Sequence, residues 1–125
     1  MRSTWGLCAW FEELGTALIH PDDLDVVRAL RPNGKVFRVV DADDAFLHLR
    51  YGDIVFRVRP AVFRPVPNHV RDVGESVVLL DGRSAEVIGI GWHHQRAEPM
   101  YQLRIEGKTQ RRRYWASEFR AIEPG

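Results

Sequence analysis

Five consecutive residues, Arg111-Arg112-Arg113-Tyr114-Trp115, set three guanidinium groups beside two aromatic rings. On a strand, Arg111, Arg113 and Trp115 share one face and Arg112 and Tyr114 the other. Guanidinium groups grip carboxylates and phosphates through paired hydrogen bonds, and aromatic rings stack on bases or supply contact area. Arg, Tyr and Trp are also the usual anchors of protein interfaces. Glu98, Glu106 and Glu118 nearby dilute the positive field, which tilts the reading toward an acidic protein surface rather than a polyphosphate. The competing reading is an edge strand guarded by charge, with Trp115 in the core. The candidate contact residues are therefore Trp92, Tyr101, Arg111, Arg113 and Tyr114, together with Arg57 and Arg59 from an earlier strand.

Other reactive residue types are present without the spacing that chemistry needs. His93-His94 are adjacent, and adjacent side chains diverge in extended chain, so they do not share one metal ion; a solvated loop is expected there. No pair among His20, His48, His69 and Cys8 has zinc-like spacing. Cys8 lies in the apolar run Trp5-Gly6-Leu7-Cys8-Ala9-Trp10, where a thiol is buried and inert. His20, ahead of Pro21 and Asp22, suits a capping or packing role better than an acid–base pair. No Gly-rich phosphate loop, nucleophile elbow or paired-carboxylate motif occurs. The expectation is a protein without catalytic residues, metal or cofactor.

The elements that would position these residues are mostly strands. The apolar stretch Trp5 to Leu18 fits either a short strand or a helical turn. Pro21, three aspartates and the stripe Leu24, Val27 and Leu30 predict a helix of about ten residues, stopped by Arg31-Pro32-Asn33-Gly34. From Lys35 the period becomes two: Val36–Val40, Phe46–Tyr51, Ile54–Arg59 and Val62–Val66 read as strands. Alternation sends Leu47, Leu49 and Tyr51 one way, and gathers Arg38, Arg50, Arg57 and Arg59 on one solvated face. Pro65-Val66-Pro67-Asn68-His69 reads as a linker. Beyond it, Val77–Leu80, Glu86–Trp92, Tyr101–Ile105 and Arg111–Trp115 read as strands. The turns Asp81-Gly82-Arg83 and Gly107-Lys108 punctuate them, and a single turn Ala116-Ser117-Glu118 precedes the apolar pair Phe119 and Ile122. Phe63-Arg64-Pro65-Val66 and Phe119-Arg120-Ala121-Ile122 echo each other, which fits two tandem units; one larger mixed sheet is the competing arrangement.

Composition sets the outer bounds. The chain has 125 residues, 45% of them hydrophobic, with one cysteine and a net charge of +1. Disorder, an internal disulfide and a segment spanning a bilayer are all disfavoured, and Glu12 and Glu13 end the first apolar stretch too early for a secretory signal. Every cation except Lys35 and Lys108 is arginine.

The stretch Gly74–Ile122, with its single turn at Ala116–Glu118 before the last apolar pair, resembles the small barrels of the Tudor, KOW and Src-homology-3 kind. The upstream residues Ile19-His20-Pro21-Asp22-Asp23-Leu24, Gly34-Lys35-Val36-Phe37 and Arg57-Val58-Arg59-Pro60 resemble small bacterial proteins of unknown function. Some of those are encoded beside secreted antibacterial toxins and act as their immunity proteins. The resemblance assigns no individual residue. The expected fold is α+β, mostly β, with a short N-terminal helix and two small barrel-like antiparallel units in tandem, residues 1–67 and 68–125. The expected role is a cytoplasmic, non-catalytic module that binds a protein partner, specifically an immunity protein that sterically neutralises a cognate toxin. A nucleic-acid- or ribosome-associated barrel is the alternative, and the sequence is silent on oligomeric state.

Overall fold

The computed structural model describes residues 5–66 and 70–120. The chain forms two compact units, Met1–His69 and Val70–Gly125. Both are mostly antiparallel β, and each is built around its own sheet.

In the first unit, β1 (Trp5–Cys8) is followed by three 3-10 turns, Glu12–Leu14, Thr16–Leu18 and Pro21–Asp23, and by helix α1 (Leu24–Leu30). The helix is shorter than expected because Pro21 and the two aspartates after it make a separate 3-10 turn, entered through His20. His20 Nδ1 accepts the Asp22 N–H at 3.1 Å, so the capping role is the one it takes. Only Val27 of the helix is fully buried, with Leu24 and Leu30 packed partly against the core.

Strands β2 (Val36–Ala42), β3 (Leu47–Tyr51), β4 (Ile54–Val58) and β5 (Phe63–Pro65) complete a five-stranded sheet in the order β4-β3-β2-β1-β5. Its core gathers Cys8, Trp10, Ile19, Phe37, Leu49, Phe56, Val58 and Val62. Phe37 meets Phe56 edge-on at 5.3 Å between ring centres, an arrangement suited to aromatic quadrupoles. Gly6 is required where β1 passes β5, since a Cβ there would strike the Phe63 ring and the Arg64 carbonyl.

In the second unit the order is β6-β7-β8-β9, with β6 (Ser76–Val78), β7 (Ser84–His93), β8 (Glu98–Ile105) and β9 (Lys108–Thr109). The β8–β9 loop, Glu106-Gly107, has φ of 52° and 77°, the two positive angles of a type I′ hairpin. Alternation along β8 buries Tyr101 and Leu103, while β7 buries Val87 and, past a bulge between Val87 and Gly89, Ile90.

Neither sheet closes into a barrel, contrary to expectation. Closure needs a ladder along both edges, and the closing segments are too short for one. In the second unit, among the described residues, the C-terminal stretch touches β8 through the single pair Tyr101–Tyr114, then meets Leu79, beside β6, through the single pair Leu79–Phe119. A 3-10 turn, Ala116–Glu118, lies between these contacts at the expected place.

Both units end on the same device. In the first, the turn Pro60–Val62 leads into Phe63, which pairs with Cys8, while Ala9 N–H bonds Val62 O at 2.8 Å. In the second, Ala116–Glu118 leads into Phe119, which pairs with Leu79, while Leu80 N–H bonds Glu118 O at 3.1 Å. The sequence echo between Phe63-Arg64 and Phe119-Arg120 marks this shared geometry. Of the proposed linker, Pro65 belongs to β5 and Val66 is buried, while residues 67–69, like Ile122, lie outside the described residues.

Candidate partner-binding surface

Arg111–Arg113 is not a strand. Thr109 pairs with Arg104 and Tyr114 with Tyr101, so five steps along one chain face three along the other, and the arginines hold the two surplus residues. Such an excess pushes residues out of a ladder. Arg111, Arg112 and Arg113 are exposed, whereas Tyr114 turns inward and is 4% exposed. The expected alternation of faces across this segment therefore fails.

Beyond the bulge the chain is pinned by one carboxylate. Glu118 accepts the Trp115 N–H at 2.9 Å and bonds the Arg112 guanidinium at 2.8 and 3.2 Å. Arg112 also lies 3.7 Å over the Tyr114 ring. The Arg112 guanidinium holds the Glu118 carboxyl below the usual carboxylate range, with the Trp115 N–H adding to the effect.

Trp115, half-buried, meets the turn between β7 and β8. Arg96 of that turn stacks 3.7 Å over its ring, and His93 meets it edge-on at 5.3 Å. Exposed stacks of this kind contribute about 0.5–1 kcal/mol. His93 Nδ1 accepts the Arg96 N–H at 3.1 Å, and Arg96 Nε donates to Glu98 at 3.3 Å. The pair expected to be a solvated loop is thus split: His94 is exposed, while His93 organises the turn.

The first unit carries a related trio. Arg59 lies 4.3 Å over the Phe46 ring, and His20 meets the same ring at 4.9 Å. As at Trp115, the participating residue immediately precedes the closing 3-10 turn, but here it is the cation rather than the ring.

The sequence-derived candidates sort as follows. Arg111 and Arg113 are exposed, and no ion pair engages them among the described residues. Tyr101 is fully buried, with its hydroxyl accepting the Arg71 N–H at 3.0 Å, so Tyr101 and Tyr114 are core residues and not contact residues. Their rings fill the space between β8 and the closing segment, Tyr101 lying 5.3 Å from Phe119. Trp92 is half-buried opposite Pro99.

Arg57 is committed internally: its backbone N–H and Nε each bond Asp23 at 2.8 Å, and its terminal nitrogen does so at 3.2 Å. Arg59 is exposed but held on Phe46. Arg38 and Arg50 do pair across β2 and β3, but Arg59 lies past the end of β4 and does not join them on the sheet. The candidates thus divide between the units, and only Arg111 and Arg113 share the surface around Trp115. Arg96 and His93 were missed; their signal was the polar His93-His94-Gln95-Arg96 loop joining two long strands.

Among the described residues, no group of three or more His, Cys, Asp or Glu is placed to hold a metal ion. Burial pushes the Cys8 thiol up to about 12. No helix among the described residues is long and apolar enough to cross a membrane.

A family model, described as a family of unknown function (DUF6960), matches residues 1–120. The chain belongs to this family. No curated protein and no solved structure is significantly similar to it. Because the match spans both units, the DUF6960 unit of description includes the first sheet, the helix and the Arg–Trp surface together.

Proposed function

We propose that this chain is a non-catalytic binding module that recognises an acidic protein surface through Arg111, Arg113, Arg96 and Trp115. The observation that carries the reading is the bulge: two arginines with no carboxylate partner among the described residues are displayed beside a tryptophan already ordered by Arg96 and His93. An ordered ring and a fixed turn lose less conformational freedom on binding, which favours a specific contact. Glu98 and Glu118 engage Arg96 and Arg112, leaving the excess positive charge at Arg111 and Arg113. In its specific form, the reading is a bacterial immunity protein that covers the active site of a cognate secreted toxin by steric exclusion. That form rests on the sequence resemblance of the first unit.

The test is co-expression with the toxin domain encoded beside the gene. Wild-type chain should relieve lethality, and Arg111→Glu with Arg113→Glu should abolish relief while circular dichroism and the thermal midpoint stay unchanged. Undiminished relief by the double variant would exclude this surface, and no relief by the wild type would exclude the immunity role. Fluorescence anisotropy with a labelled single-stranded oligonucleotide at two salt concentrations separates the nucleic-acid reading. Phosphate binding would be steeply salt-dependent, and tight binding of that kind would replace the protein partner with a polyanion.

A further inference from the structure

The turn between β7 and β8 is held in a shape that it would not keep unaided. Ala97 has φ 52°, in the left-handed region that a residue with a Cβ rarely adopts. The bonds around it run through Arg96. His93 Nδ1 accepts the Arg96 N–H at 3.1 Å, and Arg96 Nε donates to Glu98 at 3.3 Å. His93 and Glu98 stand opposite each other where the two strands part. The Arg96 side chain is 47% exposed, so burial does not set its position on the Trp115 ring. The two bonds do.

The bond at Nδ1 dictates the charge of His93. An imidazole that accepts there is neutral and carries its hydrogen on Nε2; a second proton turns Nδ1 into a donor facing another donor. Imidazole is the side chain that gains this proton between about pH 8 and 5. The charged and titratable groups around His93 are Arg96 and His94 in the turn, Glu98 on β8, and the Arg112–Glu118 pair beyond Trp115. Arg96 repels an imidazolium. Glu98 attracts one, but Glu98 is the carboxylate that holds Arg96, so drawing it toward His93 withdraws it from the guanidinium. Glu118 is occupied by two bonds from Arg112. Acid therefore weakens both bonds on Arg96 together. His20 accepts the Asp22 N–H in the same way, but there Asp22 Oδ2 stands 4.0 Å from the same nitrogen, placed to receive a proton from it.

We infer that His93 is the positioning residue of this surface: neutral, it holds Arg96 on Trp115, and protonated, it lets Arg96 go. The consequence for binding rests on the reading of this surface as a contact site. A partner that engages Arg96 and Trp115 is held near neutrality and released in acid, because a disordered turn must be fixed again on binding. Arg111 and Arg113 stay exposed and charged throughout. The added proton raises the positive charge of the surface and yet lowers its affinity for carboxylates, the reverse of what charge counting gives.

Nuclear magnetic resonance of the free full chain, titrated between about pH 8 and 5, decides the matter without a partner. At the alkaline end the Arg96 side-chain protons should carry a ring-current shift from Trp115. At the acid end that shift should fall by about half or more, as the loss of a bond of this strength implies. His93→Asn supplies an amide oxygen that accepts the Arg96 N–H without titrating, and should keep the shift throughout. His93→Leu has no acceptor and should show the reduced shift throughout, while His94→Asn should titrate like wild type. A wild-type shift that stays constant, an Asn variant that still loses it, or a Leu variant that keeps it would each overturn the inference. Affinity for the purified toxin domain encoded beside the gene should fall about fivefold in acid for wild type and stay level for His93→Asn. A stack that releases while affinity holds would leave the proton switch standing and exclude Arg96 and Trp115 from the contact.

Discussion

Asp23 receives three hydrogen bonds from one arginine, Arg57, and so ties the entry to α1 onto strand β4. Those bonds hold the Asp23 carboxyl below the usual carboxylate range, the side-chain bond from Arg57 being the first cause. A carboxyl lowered in the folded chain stabilises the fold above its unfolded pKa, and that stabilisation is lost as pH falls through the folded value. Asp23→Asn should therefore cost about 1–3 kcal/mol near neutrality. The gap between variant and wild type should narrow as pH drops below about 4. Urea midpoints at the two pH values measure this, and a gap of constant width would assign the acid sensitivity elsewhere. Cys8 gives a second test at this scale. A thiol 1% exposed, with its ionisation pushed up to about 12, should resist Ellman's reagent in the folded protein and react promptly in urea. Rapid labelling without denaturant would show that β1 opens readily.

Among the elements, the most telling is the arginine bulge, because it shows where the sequence was legible and where it was not. Strands β2, β3, β4, β7 and β8 could be read from their alternation, since one face of each must reach a core. The turn at Ala116–Glu118 could be read from its small and polar residues between apolar ones. Arg111–Trp115 was misread as a strand, because a run of arginines and aromatics between two strand-forming segments carries no local mark of an interrupted ladder. What decided the local structure was the register between Tyr101 and Tyr114, and a distant partner is invisible to a local pattern. The same limit hid the stack of Arg96 and His93 on Trp115, whose members are far apart in sequence. Gly6 is the opposite case of a local residue fixed by a remote neighbour. Replacing it with Ala should destabilise the chain by about 1–3 kcal/mol, because Phe63 and the β5 backbone must move. A thermal midpoint within error of wild type would mean that β1 and β5 separate at little cost.

At the scale of the molecule, two units repeat one closing device, but they do not depend on it equally. Phe119 is 5% exposed and contacts Tyr101, whereas Phe63 is only half-buried. Phe119→Ala should cost about 3–5 kcal/mol and Phe63→Ala distinctly less. Equal losses by urea denaturation would argue that the two turns are interchangeable after all. The shared device also bears on how the chain is made. When synthesis has delivered residues 1–110, every strand of the second sheet exists, yet Tyr114 and Phe119 have not arrived to meet β8 and Leu79. During that interval these positions lack their partners, and unpaired strand edges invite pairing with other nascent chains. A slow stretch of translation between residues 110 and 119 would lengthen the exposure.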